Sequence, residues 1–354
     1  MKAILFLLLP FILTSYFITT KNVRPANDTS LIGSGQMPLL TSDDRGNIHL
    51  VYGIGDSLLY RYSPDKGQSF NQPQLIAVID GLHASATRGP QIAVTKNGVS
   101  VVASVDAGSI YSFTKATGGK WIRGNRVTDA DSVALEGFVS LAGDGNSSLF
   151  AIWLDLRKNK RNSIYGARSA DGGKTWSKNM MIYASPDSTV CECCKPTVAM
   201  SGGKVYVMFR NWLKGNRDLY LIESSDYGRS FGQAKKLGIQ SWALNGCPMD
   251  GGSVVVNKKG IAQTVWNRKG SIYSCEPGKE EKAIGQGRSC TMETANGENM
   301  YAWIENGQVV VVNAKGIKKV LGKGYAATLK AADSNHLLCI WENEKKLYKV
   351  LLPI

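Results

Sequence analysis

One unit repeats along this chain, and that repetition limits the fold more than any other feature. The unit is a short apolar strand, a Gly/Asn turn, a second strand ending in an aromatic residue, and then a third strand. It is marked by Asn47-Ile-His-Leu-Val-Tyr52, Gly98-Val-Ser-Val-Val-Ala-Ser104, Leu149-Phe-Ala-Ile-Trp153 and Val205-Tyr-Val-Met-Phe209. It returns at Ile261-Ala-Gln-Thr-Val-Trp266, Met300-Tyr-Ala-Trp303 and Leu337-Leu-Cys-Ile-Trp341. The marks fall roughly 40 to 55 residues apart, the length of one four-stranded propeller blade. The expected fold class is therefore an all-β propeller of about seven four-stranded blades, with six as the alternative count. The segment near Leu31 is expected to supply the missing outer strand of the last blade, which removes a free sheet edge.

A second pattern overlays the first. Ser63-Pro-Asp-Lys-Gly-Gln-Ser-Phe70, Ser169-Ala-Asp-Gly-Gly-Lys-Thr-Trp176 and Ser224-Ser-Asp-Tyr-Gly-Arg-Ser-Phe231 share Ser-x-Asp-x-Gly-x-x-aromatic. Asp65, Asp171 and Asp226 suit turn amides, and Gly67, Gly173 and Gly228 suit positive φ. These carboxylates read as structural, on the outer hairpins.

The first residues read as an export signal. Lys2 precedes a nearly all-apolar run from Ala3 to Leu13, too short for a span of about 20 residues. Residues 1–22 are expected to be a signal peptide and 23–354 a single propeller domain. That places the protein outside the cell or in the cell envelope, with membrane attachment only if the segment stays uncleaved. The formal net charge of +14 suits an anionic glycan or acidic sugar as partner. No Lys/Arg-rich helix or zinc-finger spacing points to nucleic acid.

In a propeller the innermost strand starts, and the second strand ends, on the same face. That places Arg88, Glu136, Asp250, Arg288 and Tyr325 at strand starts, with Asp155, Arg157, Arg210, Arg268 and Glu342 at second-strand ends. Arg88, Arg157, Arg210, Arg268 and Arg288 thus form an expected substrate-binding set, because guanidinium forks match carboxylate, sulfate or phosphate. A salt-bridge ring holding the blades together is the alternative.

The chain has 7 cysteines. Cys191-Glu-Cys-Cys194 and Cys247 open the inner strands of adjacent blades, so Cys193 or Cys194 is expected to bridge to Cys247. A thiolate metal site of Cys191, Cys193, Cys194 and Cys247 is the alternative; otherwise no metal or cofactor is expected. Cys275 and Cys290 bracket a blade junction and are read as a second possible bridge. Cys339 reads as a buried free thiol.

The three Ser-x-Asp-x-Gly turns resemble the Asp boxes of sialidases and related BNR-repeat propellers. His83-Ala-Ser-Ala-Thr-Arg-Gly-Pro90, Trp153-Leu-Asp-Leu-Arg157, the Cys191–Pro196 stretch and Cys247-Pro-Met-Asp-Gly251 resemble bacterial exported proteins labelled exo-α-sialidase-like. The resemblance implies arginines holding a sugar carboxylate, a Tyr nucleophile primed by a Glu, and an Asp acid/base. By position Tyr325 is the candidate nucleophile, Glu136 its primer, and Asp155 or Asp250 the acid. Two other functions stay open: a non-catalytic propeller binding a glycan or protein, and a structural or metal-binding envelope protein. A Tyr–Glu contact beneath arginines is the feature that separates the hydrolase from the binder.

Overall fold

The computed structural model describes residues 29–187 and 189–354. The expected signal segment and residues 23–28 of the expected domain lie outside the described residues. The described residues form β-strands and no helix. They build seven sheets, each an antiparallel blade around a central channel. The innermost strands, in chain order, are Gln36–Ser42, Gln91–Thr95, Val139–Gly143, Thr197–Ser201, Ser253–Val256, Arg288–Ala295 and Tyr325–Ala331. They number blades 1 to 7. Each packs beside the next, and blade 7 returns to blade 1.

The ring closes as the sequence suggests. Ser30–Ser34 adds to the last strand of the chain, Lys346–Pro353, with Leu31 opposite Tyr348. Blade 7 is thus built from both ends of the chain, and no sheet edge is left inside the seam.

The core sits between blades rather than within them. Alternating residues of each strand face opposite sides of the sheet, so each blade buries one face against each neighbour. Seven apolar clusters result, one at each junction. Phe150, Ile152 and Leu154 of blade 3 meet Val205, Val207 and Phe209 of blade 4, for example. Leu50 and Tyr52 of blade 1 meet Leu338 and Ile340 of blade 7 across the closure.

The three Ser-x-Asp-x-Gly turns are clamps on the preceding blade. Ser224 Oγ donates to Asp226 Oδ1 at 2.7 Å and accepts the Gly228 amide at 2.9 Å. Asp226 also accepts the Ser230 amide at 2.9 Å and the Ser230 hydroxyl at 2.6 Å. Asp65 and Asp171 are held in the same way. Burial works to raise the Asp65 carboxyl, and the Ser69 and Ser63 hydrogen bonds outweigh it, leaving the group at about 2. Gly228 has φ 75° and lies on the Phe150 ring of blade 3, leaving no room for a Cβ. Phe231 packs on the same ring at 5.6 Å. Each acidic side chain is fully used by its own turn.

Cys275 and Cys290 do not bridge; both are free and buried. Cys275 ends the third strand of blade 5, and its thiol meets the carbonyls of Glu276 and Lys279. Cys290 lies near the start of an inner strand. Third-strand ends and inner-strand starts fall on opposite faces of a propeller. Cys339 is a buried free thiol, as read, and burial pushes it far above the ordinary thiol value.

Gly228→Ala tests the clamp. A left-handed alanine costs about 1 kcal/mol, and overlap with a packed ring adds about 1–3 kcal/mol. Gly270 also has a positive φ of 81° but has nothing within 4 Å of its Cβ position. Urea denaturation should show Gly228→Ala losing about 2–4 kcal/mol and Gly270→Ala about 1 kcal/mol. Equal losses would mean that the turn does not clamp.

Candidate functional site at the channel mouth

Three consecutive blades start their inner strand with the same irregularity. Blades 6, 7 and 1 open Gly287-Arg288-Ser289, Gly324-Tyr325-Ala326 and Gly35-Gln36-Met37. In each, the pairing with the second strand shifts register just after the second residue. The third residue is left-handed, with φ 54° at Ser289, 50° at Ala326 and 51° at Met37. A non-glycine residue held there stores about 1–2 kcal/mol, and bulges re-aim side chains. Arg288, Tyr325 and Gln36 therefore occupy equivalent places on the rim, and the strained residues line the channel below.

Tyr325 is 42% exposed, and its hydroxyl donates to Glu342 Oε1 at 2.5 Å. Glu342 is fully buried. Its other oxygen accepts the Met37 amide at 2.9 Å, across the seam between blades 7 and 1. Burial, then the Glu342 carboxylate, pushes the phenol up to about 12. The hydroxyl is thus protonated at neutral pH and aimed at a base. Glu136, the primer expected from sequence, is not that base. Its carboxylate stands 3.9 Å from Arg88, and its carbonyl accepts Arg88 Nε at 2.5 Å.

The channel encloses about 420 Å³. Near the mouth its wall includes Thr87, Lys195, Met249 and Asp250. Asp250 is buried; its Oδ2 accepts the Ser289 amide at 2.7 Å, and its Oδ1 has no hydrogen-bond partner. Burial, only partly offset by Arg210 and by the Ser289 and Gly252 amides, raises its carboxyl above the ordinary range. Burial likewise pulls the Lys195 ammonium down to about 8. An aspartate held toward its acid form and a lysine held toward its neutral form therefore share one wall.

The five arginines do not form one cluster. Arg210 is buried, and its three donor groups go to the carbonyls of Asp250, Arg217 and Asn267. Arg268 pairs with Glu281 at 2.6 Å and stacks 4.1 Å over Tyr273. Arg157 bends back over Tyr165 and binds Asp155, Asp129 and Asn179. Asp155 is buried, and its carboxylate takes the Trp153 indole at 2.8 Å as well as Arg157. Arg210 joins blade 4 to blade 5, and the other three are paired within their own blade or to the loop that enters it. Arg88 sits over Phe138 at 4.4 Å, and Arg288 is exposed on the rim. Arg288 and Lys195 are mouth cations outside these pairings.

Beside Asp250 lie the sulfurs. Cys193 is bonded to Cys247, as the blade adjacency suggests. Two residues, Thr189–Val190, extend blade 4 beyond its inner strand and deliver the Cys191 turn to the mouth. Cys191 Sγ lies 3.2 Å from Cys194 Sγ and accepts Arg217 Nη1 at 3.0 Å. The contact with Cys194, then Arg217 and its neighbours, brings the Cys191 thiol down to about 7.

No family model and no curated protein sequence matches the chain. Solved structures do. The BP39L lectin from Burkholderia pseudomallei is similar at TM-score 0.66 and 10% identity, over 91% of this chain and 96% of the lectin. A polysaccharide lyase, the PL25 ulvan lyase, is similar at 0.57 and 10%, over 93% and 96%. An α-L-arabinanase from Penicillium chrysogenum, complexed with arabinobiose, is similar at 0.53 and 12%, over 92% and 98%. At these identities the likeness establishes the propeller fold.

The state of Asp250 makes a prediction. Its folded-state carboxyl is raised, so its ionisation opposes folding at pH above that raised value. Below the unfolded value of about 3.9 both states are protonated and the effect is gone. Asp250→Asn should therefore raise the urea midpoint at pH 7, and the gain should shrink as pH falls toward about 3.9. A loss of stability at pH 7 would show that the charge is compensated.

Proposed function

We propose that the protein is a sialidase-like, carbohydrate-directed propeller. It acts in the cell envelope or outside the cell, takes an acidic sugar at the channel mouth and cleaves its glycosidic bond at Tyr325. The observation that carries this reading is the exposed Tyr325 hydroxyl, 2.5 Å from the buried Glu342 carboxylate. A phenol is a poor nucleophile while protonated, and a carboxylate at hydrogen-bond distance is placed to take that proton as the oxygen attacks.

In this reading Arg288 and Lys195 attract the sugar carboxylate, and the overall charge of +14 favours its approach. Tyr325 Oη bonds to the anomeric carbon as its proton passes to Glu342. The glycosidic carbon–oxygen bond breaks, and a carboxylic acid protonates the leaving oxygen. Asp250, held toward its protonated form by burial, is the acid of the mouth. Water then releases the sugar from the tyrosine. A lectin, an arabinanase and a polysaccharide lyase among similar propellers support sugar-directed use of the scaffold without choosing among those chemistries.

Titration with sialic and uronic acids, beside a turnover assay on their chromogenic glycosides, tests this. Tyr325→Phe should abolish turnover and leave binding within about twofold, since the ring stays and only the attacking oxygen goes. Arg288→Ala should weaken binding roughly tenfold to a hundredfold, the equivalent of about 1.5–3 kcal/mol for a charge-assisted hydrogen bond. Binding without turnover in the unaltered protein would replace hydrolysis with a lectin-like role, and no binding of either acid would remove the proposal.

Lysine 195 adds a pH signature. Its ammonium is charged below about 8 and neutral above. Affinity for an acidic sugar should fall as pH rises through about 8, and Lys195→Met should flatten that dependence. A profile unchanged by Lys195→Met would exclude its ammonium from the anion site.

A further inference from the structure

Four of the 7 cysteine sulfurs meet at one point beside the channel mouth. The Cys191, Cys193 and Cys194 Sγ atoms are separated by 3.7, 3.2 and 4.0 Å, and Cys247 is joined to Cys193. A tetrahedral ion with metal–sulfur bonds of about 2.3 Å needs sulfurs about 3.8 Å apart along every edge. Three edges of that tetrahedron already have nearly the required length. The fourth vertex lies within reach of Cys247, on an exposed loop, once its bond to Cys193 is open.

We propose that, in the reduced chain, Cys191, Cys193, Cys194 and Cys247 form a four-thiolate site for a thiophilic divalent ion of the zinc type.

The surroundings are those of a thiolate site and not of a simple core disulfide. Arg217 Nη1 donates to Cys191 Sγ at 3.0 Å. The Cys193 amide donates to Cys191 Sγ, and the Asp250 amide to Cys194 Sγ. Such N–H donors orient thiolates and stabilise their charge. Four thiolates around a divalent ion carry two net negative charges. Arg217, which also pairs with Glu192 at 3.5 Å, and the buried Arg210, which acts on both Cys191 and Cys194, set positive charge against them. Soft sulfur ligands in a tetrahedral set select zinc over hard cations.

Metal and disulfide use the same two sulfurs, so each excludes the other. The chain is synthesised with free thiols. Four thiols binding a divalent ion release four protons and transfer no electrons. Once Cys193 and Cys247 have been oxidised, reopening them takes two electrons and two protons from a dithiol reductant, which itself becomes a disulfide. The site is thus a choice between a metal clip and a covalent clip joining blade 4 to the approach to blade 5. It stands apart from the sugar reading, because none of the four sulfurs takes part in that chemistry.

The test uses the full chain, reduced anaerobically with a phosphine and checked for its β-sheet circular dichroism, then titrated with cobalt(II). One cobalt per chain should bind with intense visible bands and sulfur-to-metal charge transfer, and zinc should displace it. Zinc should also protect four cysteines from alkylation, read by peptide mass spectrometry. Arg217→Gln should weaken binding about tenfold to a hundredfold, as loss of an outer-shell donor does. Cys275→Ser, remote from the cluster, should bind as the unaltered chain does. Absence of the cobalt bands in the folded, reduced, unaltered chain would overturn the proposal, a result that depends on no substitution. Undiminished binding by Cys191→Ser would overturn it equally.

Discussion

Everything in this molecule depends on closing the ring. A blade of four short strands buries neither face alone, and here each apolar cluster belongs to two neighbouring blades. An open row of blades would leave two apolar faces in water and two unpaired edges. The N-terminal strand Ser30–Ser34 removes this problem by lying on Lys346–Pro353. The same closure makes the candidate site. Glu342 belongs to the end of the chain and Met37 to its beginning, and their hydrogen bond fixes the carboxylate that Tyr325 faces. The seam is therefore where fold stability and proposed chemistry meet.

The parts legible in the sequence are those with a local cause. Strand repeats at blade spacing gave the architecture and a count of seven, and the Ser-x-Asp-x-Gly turns had to be structural because their acceptors face their own amides. A bond from Cys193 or Cys194 to Cys247 followed from two inner-strand starts on adjacent blades, and Cys193 makes it. Arginine direction was not legible. Arg157, Arg210 and Arg268 leave the expected face, yet their long side chains fold back over Tyr165, Trp242 and Tyr273 and find carboxylates or carbonyls behind the rim. A backbone position fixes where such a side chain starts, while its head group goes where desolvation and partners leave it best paired.

The partner of Tyr325 was hidden for a related reason. Glu342 is 17 residues away, and the pairing depends on a register that shifts inside the strand. One signal was available. Gly35-Gln36-Met37, Gly287-Arg288-Ser289 and Gly324-Tyr325-Ala326 share a glycine two residues before the strained position. That triplet, aligned across blades, marks where the inner strand bulges and hence which residue is turned onto the rim.

Asp250 explains why these features sit together. Its carbonyl accepts Arg210 Nε, its amide faces Cys194 Sγ and its carboxylate holds the Ser289 amide beneath Arg288. Arg210 in turn holds the carbonyl of Arg217, whose guanidinium supports Cys191. One buried, incompletely satisfied acid thus links the sulfur cluster of blade 4 to the rim of blade 6. A buried carboxylate with an orphan oxygen is a cost that packing alone would remove, since an apolar residue of similar size avoids it. It sits where the inner strands of blades 6, 7 and 1 each open on a left-handed residue, so backbone strain and an unsatisfied acid meet at this end of the channel. Strain and unsatisfied charge gathered in that way are what a preorganised site requires, because groups already desolvated and aimed need no reorganisation when a ligand arrives.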